Sequence, residues 1–195
     1  MKGLYYVRDA VDLELYETVM DHLNTCEDWF QVGGASSRKV IHYGYKYNYG
    51  GGSGAATTPM PECIDNLRLY LISVLDEYVR KGVLQPYDES FNQCIINKYE
   101  PGQGIGAHID HSDYGAIIGC FTFSPGNGSP GEMVFLREGF PTNVIQTADK
   151  SLYIMTGESR THWQHQMAAK KTDIVNGKRT PRNVRISITF RSVKK

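Results

Sequence analysis

The stretch NKYEPGQGIGAHID, residues 97–110, ends in His108-x-Asp110. On an extended segment, residues two apart project to the same side. An imidazole and a carboxylate therefore stand side by side, two of the three donors of a 2-His-1-carboxylate facial site. That donor set leaves coordination positions open and suits Fe(II) oxygen chemistry. It needs one more imidazole, and the chain has six histidines. His22 lies in a helical pattern and His42 in a tyrosine-rich ribbon, both ahead of the pair, and both read as structural. His111 adjoins Asp110 and points away from it on an extended chain. His162 and His165, in GESRTHWQHQM, remain. Spacing alone does not choose between them, and a histidine in so apolar a setting also fits a satisfied core residue.

A second chemically loaded stretch is VRISITFR, residues 184–191. Alternation puts Arg185, Ser187, Thr189 and Arg191 on one face and Ile186, Ile188 and Phe190 on the other. The polar face requires water or an anion, because an unpaired buried guanidinium is costly. At about 3.3 Å per residue the two arginine backbones stand roughly 20 Å apart. Two long side chains leaning inward leave a gap suited to a short dicarboxylate, which arginine forks grip bidentately. Asn97 and Tyr99, also two apart, add an amide and a phenol that can donate to a carboxylate oxygen. The plainer alternative is an exposed edge strand with charged ends.

These groups need a scaffold. The chain has 195 residues, 41% hydrophobic and 22% charged, with a formal net charge of zero. That is ordinary for one globular domain with a substantial core. The charge is uneven: residues 1–159 carry eleven Lys/Arg and twenty Asp/Glu, whereas residues 160–195 carry ten basic residues and one acid, Asp173. Such a basic segment is either a solvated face or a surface for a polyanion. Cys26, Cys63, Cys94 and Cys120 show no C-x-x-C pairing and read as reduced thiols. No cationic leader and no membrane-length apolar run is present. A soluble protein of the cytoplasm or nucleus, monomeric and without membrane partners, is expected.

Asp12 is placed to cap a helix whose Leu15, Tyr16, Val19, Met20 and Leu23 share a face. Pro61 opens a second, with Ile64, Leu67, Leu71, Val74 and Tyr78 in register, and Gly82 stops it. Between them, Tyr43, Tyr45, Tyr47 and Tyr49 alternate strictly and should share one face of a ribbon. A glycine-rich tip, residues 50–54, follows. From Phe91 onward strands dominate, separated by Gly/Pro/Asn turns. Strands after two helices predict a mainly β jelly roll with flanking helices.

The pieces NKYEPGQGIGAHID, MTGESRTHWQHQM and RISITFR, in that order, resemble the AlkB family of Fe(II)- and 2-oxoglutarate-dependent dioxygenases. The resemblance covers most of the chain, and the Arg-x5-Arg strand is its specific part. It implies a double-stranded β-helix over about residues 91–192, with a nucleotide-recognition lid over about residues 36–60, in a single domain spanning 1–195. The family segment G-E-S-R-x-x-W-x-H-x-I implies His165 as the third ligand, so that His108, Asp110 and His165 would hold Fe(II). It implies 2-oxoglutarate contacts from Asn97, Tyr99, Arg185 and Arg191, with Arg185 on the distal carboxylate and the iron-bound end nearer Arg191. O2 would be the oxidant, and succinate and CO2 the co-products.

The activity so implied is oxidative demethylation of alkylated nucleobases in DNA or RNA, releasing formaldehyde. The alternatives are hydroxylation of a tRNA wobble-uridine side chain, oxidation of a protein or lipid, and a non-catalytic binding module. GESR, and Ser187 where several repair members carry Asn, look closest to the wobble-uridine branch. That branch also carries an RNA-recognition module and a methyltransferase domain, which these 195 residues do not hold. Two departures, Gln166 in place of Gly and the Gly/Pro-rich insertion in CFTFSPGNGSPGEMVF, bear on substrate rather than chemistry. A target base must leave its stack to reach the metal. Tyr45, Tyr47 and Trp163 are the aromatic candidates to receive it. Residues 170–195 would hold phosphates.

Overall fold

The computed structural model describes residues 1–34, 36–49 and 51–194. Gly50, at the tip of the tyrosine ribbon, and Lys195, at the end of the basic segment, lie outside the described residues. The chain begins with β1 (Leu4–Val7), α1 (Leu13–Thr25), β2 (Phe30–Gln31), β3 (Lys39–Tyr43), β4 (Tyr45–Asn48), β5 (Gly52–Ala56) and α2 (Glu62–Arg80). It continues through β6 (Gln93–Tyr99), β7 (Ile105–His108), β8 (Ile117–Phe123), β9 (Glu132–Leu136), β10 (Asn143–Gln146) and β11 (Ser151–Thr156). A short α3 (Gly157–Thr161) precedes β12 (Gln164–Met167), β13 (Thr172–Val175), β14 (Lys178–Pro181) and β15 (Arg185–Arg191).

Two antiparallel sheets face each other. The larger has the order β1-β11-β8-β15-β6-β3-β2 and the smaller β10-β9-β12-β7. The helices α1 and α2 cover the outer face of the larger sheet, as expected for a double-stranded β-helix with flanking helices. One core lies between helices and sheet: Val19, Ile64, Leu67 and Leu71 meet Cys94, Ile96, Ile186, Ile188 and Phe190. A second core lies between the sheets and includes Tyr99, Met133, Phe135, Tyr153 and Met167. Alternation along β6 and β15 supplies both layers: apolar residues go to the helices, and the chemically equipped ones go inward.

The helix ends follow local chemistry. Asp12 accepts a hydrogen bond from the Leu15 backbone N–H at 2.8 Å, which satisfies an otherwise orphan donor. Pro61 precedes α2 with φ of −67°. Gly82, just beyond that helix, has φ of +70°, a left-handed residue where glycine is cheapest. A side chain at Gly119 would collide with the Leu71 methyls, so its glycine lets α2 approach β8 closely. The four cysteines are free. Among the described residues no helix is long and apolar enough to cross a membrane.

The tyrosine ribbon departs from the expected form. Gly44 has φ of +76° and abuts the Asn92 carbonyl so closely that a Cβ would not fit. The turn there ends the alternation. Tyr43 stays in the larger sheet, packs on the helix side and bonds His22 Nε2 at 2.9 Å. Only residues 45–56 form a separate hairpin, β4 with β5, irregular between Tyr45 and Tyr47. Parts of the expected lid, residues 36–60, therefore belong elsewhere: Lys39–Tyr43 form β3 of the larger sheet, and the residues after Ala56 lead into α2.

Candidate active site

β7 and β12 are neighbours in the smaller sheet, and their register makes His165 the cross-strand partner of His108. The two ring centroids are 4.3 Å apart. Asp110 follows two residues after the end of β7. One potential ligand atom from each of His108, Asp110 and His165 lies within 4.8 Å of the others. His108 Nδ1 is 2.8 Å from the Gly106 carbonyl. A carbonyl only accepts, so Nδ1 carries the proton and Nε2 keeps its lone pair, 3.7 Å from Asp110 Oδ1. Fixing a tautomer through the other ring nitrogen is how proteins prepare an imidazole ligand.

Burial pushes the His165 pKa down to about 4, against the pull of Asp110 and with help from His108 and Arg191. The ring is neutral near pH 7, the form that binds metal. Burial alone would raise the Asp110 carboxyl; Arg191, His165 and His108 outweigh it and hold it below its ordinary value. One carboxylate and two neutral imidazoles are a donor set that fits Fe(II). The other histidines stand apart. His162 caps α3 and faces Thr161 Oγ1 at 2.7 Å. His111 pairs with Asp113 at 3.1 Å. His42 faces Tyr49 OH at 3.2 Å.

Two arginines hold the Asp110 segment. Arg160, buried on α3, donates Nη1 to the Asp110 carbonyl at 2.9 Å and Nη2 to the His111 carbonyl at 2.7 Å. It also reaches the Tyr114 carbonyl at 3.3 Å and, through Nε, the Gly115 carbonyl at 3.2 Å. One rigid fork thus ties four carbonyls of the segment that carries the carboxylate. Arg191 Nη1 lies 3.2 Å from Asp110 Oδ1. Its guanidinium sits 4.0 Å from the Tyr114 ring centroid and 5.5 Å from that of Tyr47. Neither Arg160 nor Tyr114 is marked by spacing: their role is set by a loop whose path only the fold reveals.

A cavity of about 350 Å³ opens beside the triad. Its walls include all four inward residues of β15, Arg185, Ser187, Thr189 and Arg191, and Asn97 and Tyr99 from β6. Arg185 is 3% exposed. It donates to Thr122 Oγ1 at 3.1 Å, and its guanidinium lies 5.7 Å from the Tyr99 ring centroid. Its Nε has no hydrogen-bond partner. Among the described residues it has no carboxylate within ion-pair range, unlike Arg191 and Arg182. A buried cation without a counter-ion is expensive, and this one faces an open cavity, so the cavity suits an anion. Burial raises the Tyr99 pKa, against Arg38 and Arg185, so its hydroxyl stays a donor. Asn97 Oδ1 accepts from Arg38 Nε at 2.8 Å, which leaves its NH2 to donate. A short dicarboxylate such as 2-oxoglutarate fits these donors. Arg38, in the loop before β3, is a wall residue that sequence reasoning missed.

The aromatic expectations divide. Tyr47 lines the cavity, together with Tyr49 of the same alternating tyrosine set. Tyr45 does not: the Gly44 turn and the following irregularity move it off that face, and its carbonyl accepts from Gln93 Nε2 at 3.0 Å. Trp163 does not either. It is 4% exposed and packs in the core between the sheets, near Phe140. The hairpin is tied to the metal loop, since Ser53 donates from both N and Oγ to the Asp113 carboxylate at 3.1 and 3.2 Å.

The 2OG-Fe(II) oxygenase superfamily model matches residues 14–191. The chain belongs to this superfamily. The oxygenase is 37% identical over 122 residues to the uncharacterized protein L905 of Acanthamoeba polyphaga mimivirus, covering 61% of this chain and 57% of that one. It is 28% identical over 212 residues to the tRNA (carboxymethyluridine(34)-5-O)-methyltransferase ALKBH8 of Macaca fascicularis, covering 98% of this chain and 30% of the relative. It thus spans between 30% and 57% of the length of these curated relatives. The solved structure of OsALKBH1 superposes with a TM-score of 0.69 at 15% identity, covering 98% of this chain and 99% of that one. The oxygenase is of AlkB type, an Fe(II)- and 2-oxoglutarate-dependent dioxygenase with the double-stranded β-helix fold. Fe(II), 2-oxoglutarate and O2 are its cofactor and cosubstrates.

Proposed function

We propose that this dioxygenase oxidises a modified nucleobase of nucleic acid, that His108, Asp110 and His165 hold its Fe(II), and that Arg185, Arg191, Asn97 and Tyr99 hold 2-oxoglutarate. The observation that carries the cosubstrate assignment is the buried Arg185 guanidinium, which has no carboxylate in ion-pair range among the described residues and lines the same cavity as the triad. Bound Fe(II) supplies the oxidation, in which 2-oxoglutarate and O2 give succinate and CO2 and one oxygen atom enters a substrate C–H bond. The protein binds, orients and shields. Arg185 grips the distal carboxylate, while Tyr99 and Asn97 donate to the cosubstrate and fix its direction. Arg191 balances the charge of Asp110, and Arg160 holds the loop on which Asp110 sits. Tyr47 and Tyr49 offer flat faces to a base drawn out of its stack.

We place the whole reading in one domain, with β4 and β5 as the lid. Lys170, Lys171, Lys178 and Arg179 form its phosphate-holding surface; all are exposed on or beside the β13–β14 hairpin. The single acid there, Asp173, is buried and bonded by Arg182 at 2.7 Å, so it does not offset them. Of the two reactions, hydroxylation of a tRNA uridine side chain is favoured over demethylation. Its support is the name of the ALKBH8 relative, which specifies carboxymethyluridine 34 of tRNA. The methyl transfer in that name is not carried over, because the match spans 30% of that protein. Incubation with tRNA and with methylated oligonucleotides, followed by nucleoside mass spectrometry, decides. Gain of one oxygen on a uridine derivative supports the first reading, loss of a methylene the second. Unchanged nucleosides throughout would reject both.

A further inference from the structure

Behind the tyrosine hairpin lies a second cavity, of about 480 Å³. Tyr47 and Tyr49 line both cavities, so the two share a wall. Phe30, from β2, and Tyr49 are each 44% exposed at this second site. His42 locks them in place. Its ring stands edge-on to Phe30 at 5.1 Å and 87°, and tilted against Tyr49 at 5.9 Å. Nδ1 accepts from the Tyr47 backbone N–H at 3.3 Å. Nε2 therefore carries the proton and donates to the Tyr49 hydroxyl at 3.2 Å. The other walls are mostly polar: Lys46, Asn48, Thr57 and Thr58 contribute a cation, an amide and two hydroxyls, beside the Asp28 carboxylate and the apolar Ile41. Lys46 makes no ion pair among the described residues.

We infer that this second cavity receives the nucleobase adjacent to the target base, stacked on Phe30 and Tyr49, with Lys46 beside its phosphate. The occupant follows from continuity. A strand that places one base against Tyr47 and Tyr49 in the first cavity carries its neighbour one nucleotide away, at the other side of the same two rings. Exposed flat rings with a nearby cation are what single strands use for stacking that tolerates sequence. Pocket size also suits a small-molecule-sized group rather than a protein segment. The inference rests on the nucleic-acid reading above and adds a subsite to it.

The test uses the protein loaded with 2-oxoglutarate and with Mn(II) in place of Fe(II), so that nothing turns over. Affinities are measured for uridine monophosphate, UpU and UpUpU. One stacked base is worth about 5- to 150-fold in affinity, and an exposed platform belongs near the low end. The expected result is a gain of about tenfold from the monophosphate to the longer ligands. Phe30→Ala should remove that gain and leave monophosphate affinity and melting temperature unchanged, while Phe30→Trp should keep it. A wild-type gain that survives Phe30→Ala would overturn the subsite, as would no gain in the wild type; either leaves the nucleic-acid reading standing. No binding of any of the three ligands would overturn both.

Discussion

Replacing Arg185 by Met should separate the cost of the cosubstrate site from its use. Arg185 is buried, lacks a carboxylate partner and leaves Nε unpaired. Its neighbours are Thr122 Oγ1 at 3.1 Å and the Met167 sulfur at 3.8 Å, so a thioether of similar length has apolar company. Replacing buried charge by well-packed apolar groups is often neutral or stabilising by about 1–4 kcal/mol. The lost Thr122 hydrogen bond takes back about 1 kcal/mol. The cosubstrate-free variant should therefore melt at the wild-type temperature or above it, by about 2–4 °C per kcal/mol for a chain of this size. Binding moves the other way. Truncating one partner of a buried charge pair costs about 2–5 kcal/mol, or roughly 30- to 5,000-fold in the 2-oxoglutarate Kd. At about 100 times Kd the wild type gains about 2.7 kcal/mol from ligand, a shift of about 5–11 °C. Scanning calorimetry of the Mn(II)-loaded proteins, with and without 2-oxoglutarate, reads both effects. A variant that melts well below wild type, or that keeps the ligand-induced shift, would refute the reasoning.

Three more outcomes follow from the same structure. Burial first, then nearby positive charge, hold the pKa values of His42 and His165 near 4: Arg191 and Lys46 act on His42, and His108, Arg191 and Arg160 act on His165 against the pull of Asp110. Between about pH 4 and 6.5 the unfolded chain binds more protons than the folded one, so metal-free protein should gain stability as pH rises through that window. The slope is up to about 1.4 kcal/mol per pH unit for each histidine, absent above it, and His42→Gln should roughly halve it; urea titrations across pH measure this. Arg182→Met strands the buried Asp173 carboxylate and should cost about 3–5 kcal/mol, with most recovered in the Asp173→Leu, Arg182→Met double variant by thermal melting. Arg160→Lys keeps the charge but cannot reach four carbonyls at once. Its Mn(II) affinity should fall about 10- to 100-fold, while Arg182→Met leaves that affinity unchanged.

What the sequence made legible was whatever depends on period. The β15 alternation separated Arg185, Ser187, Thr189 and Arg191 from Ile186, Ile188 and Phe190, and those faces meet the cavity and the helix core respectively. Residues two apart, such as His108 and Asp110, also behaved as spacing implies. Choosing His165 over His162 needed register: only the β12–β7 pairing sets one ring opposite His108 and leaves the other on a helix cap. The tyrosine ribbon misled because alternation assumes an unbroken strand, and Gly44 breaks it. Trp163 misled because aromatic character says nothing about which face is buried. Arg160 and Arg38 were invisible because their partners lie 45 to 59 residues away in the chain.

The most direct test is equilibrium binding of Fe(II) and 2-oxoglutarate, without oxygen, to the wild type and to His165→Ala, Asp110→Ala and His162→Ala. Wild type and His162→Ala should bind one metal ion and, with it, one 2-oxoglutarate, while the variants at 165 and 110 lose the metal. Retention of tight metal binding by His165→Ala, or its loss in His162→Ala, would contradict the site.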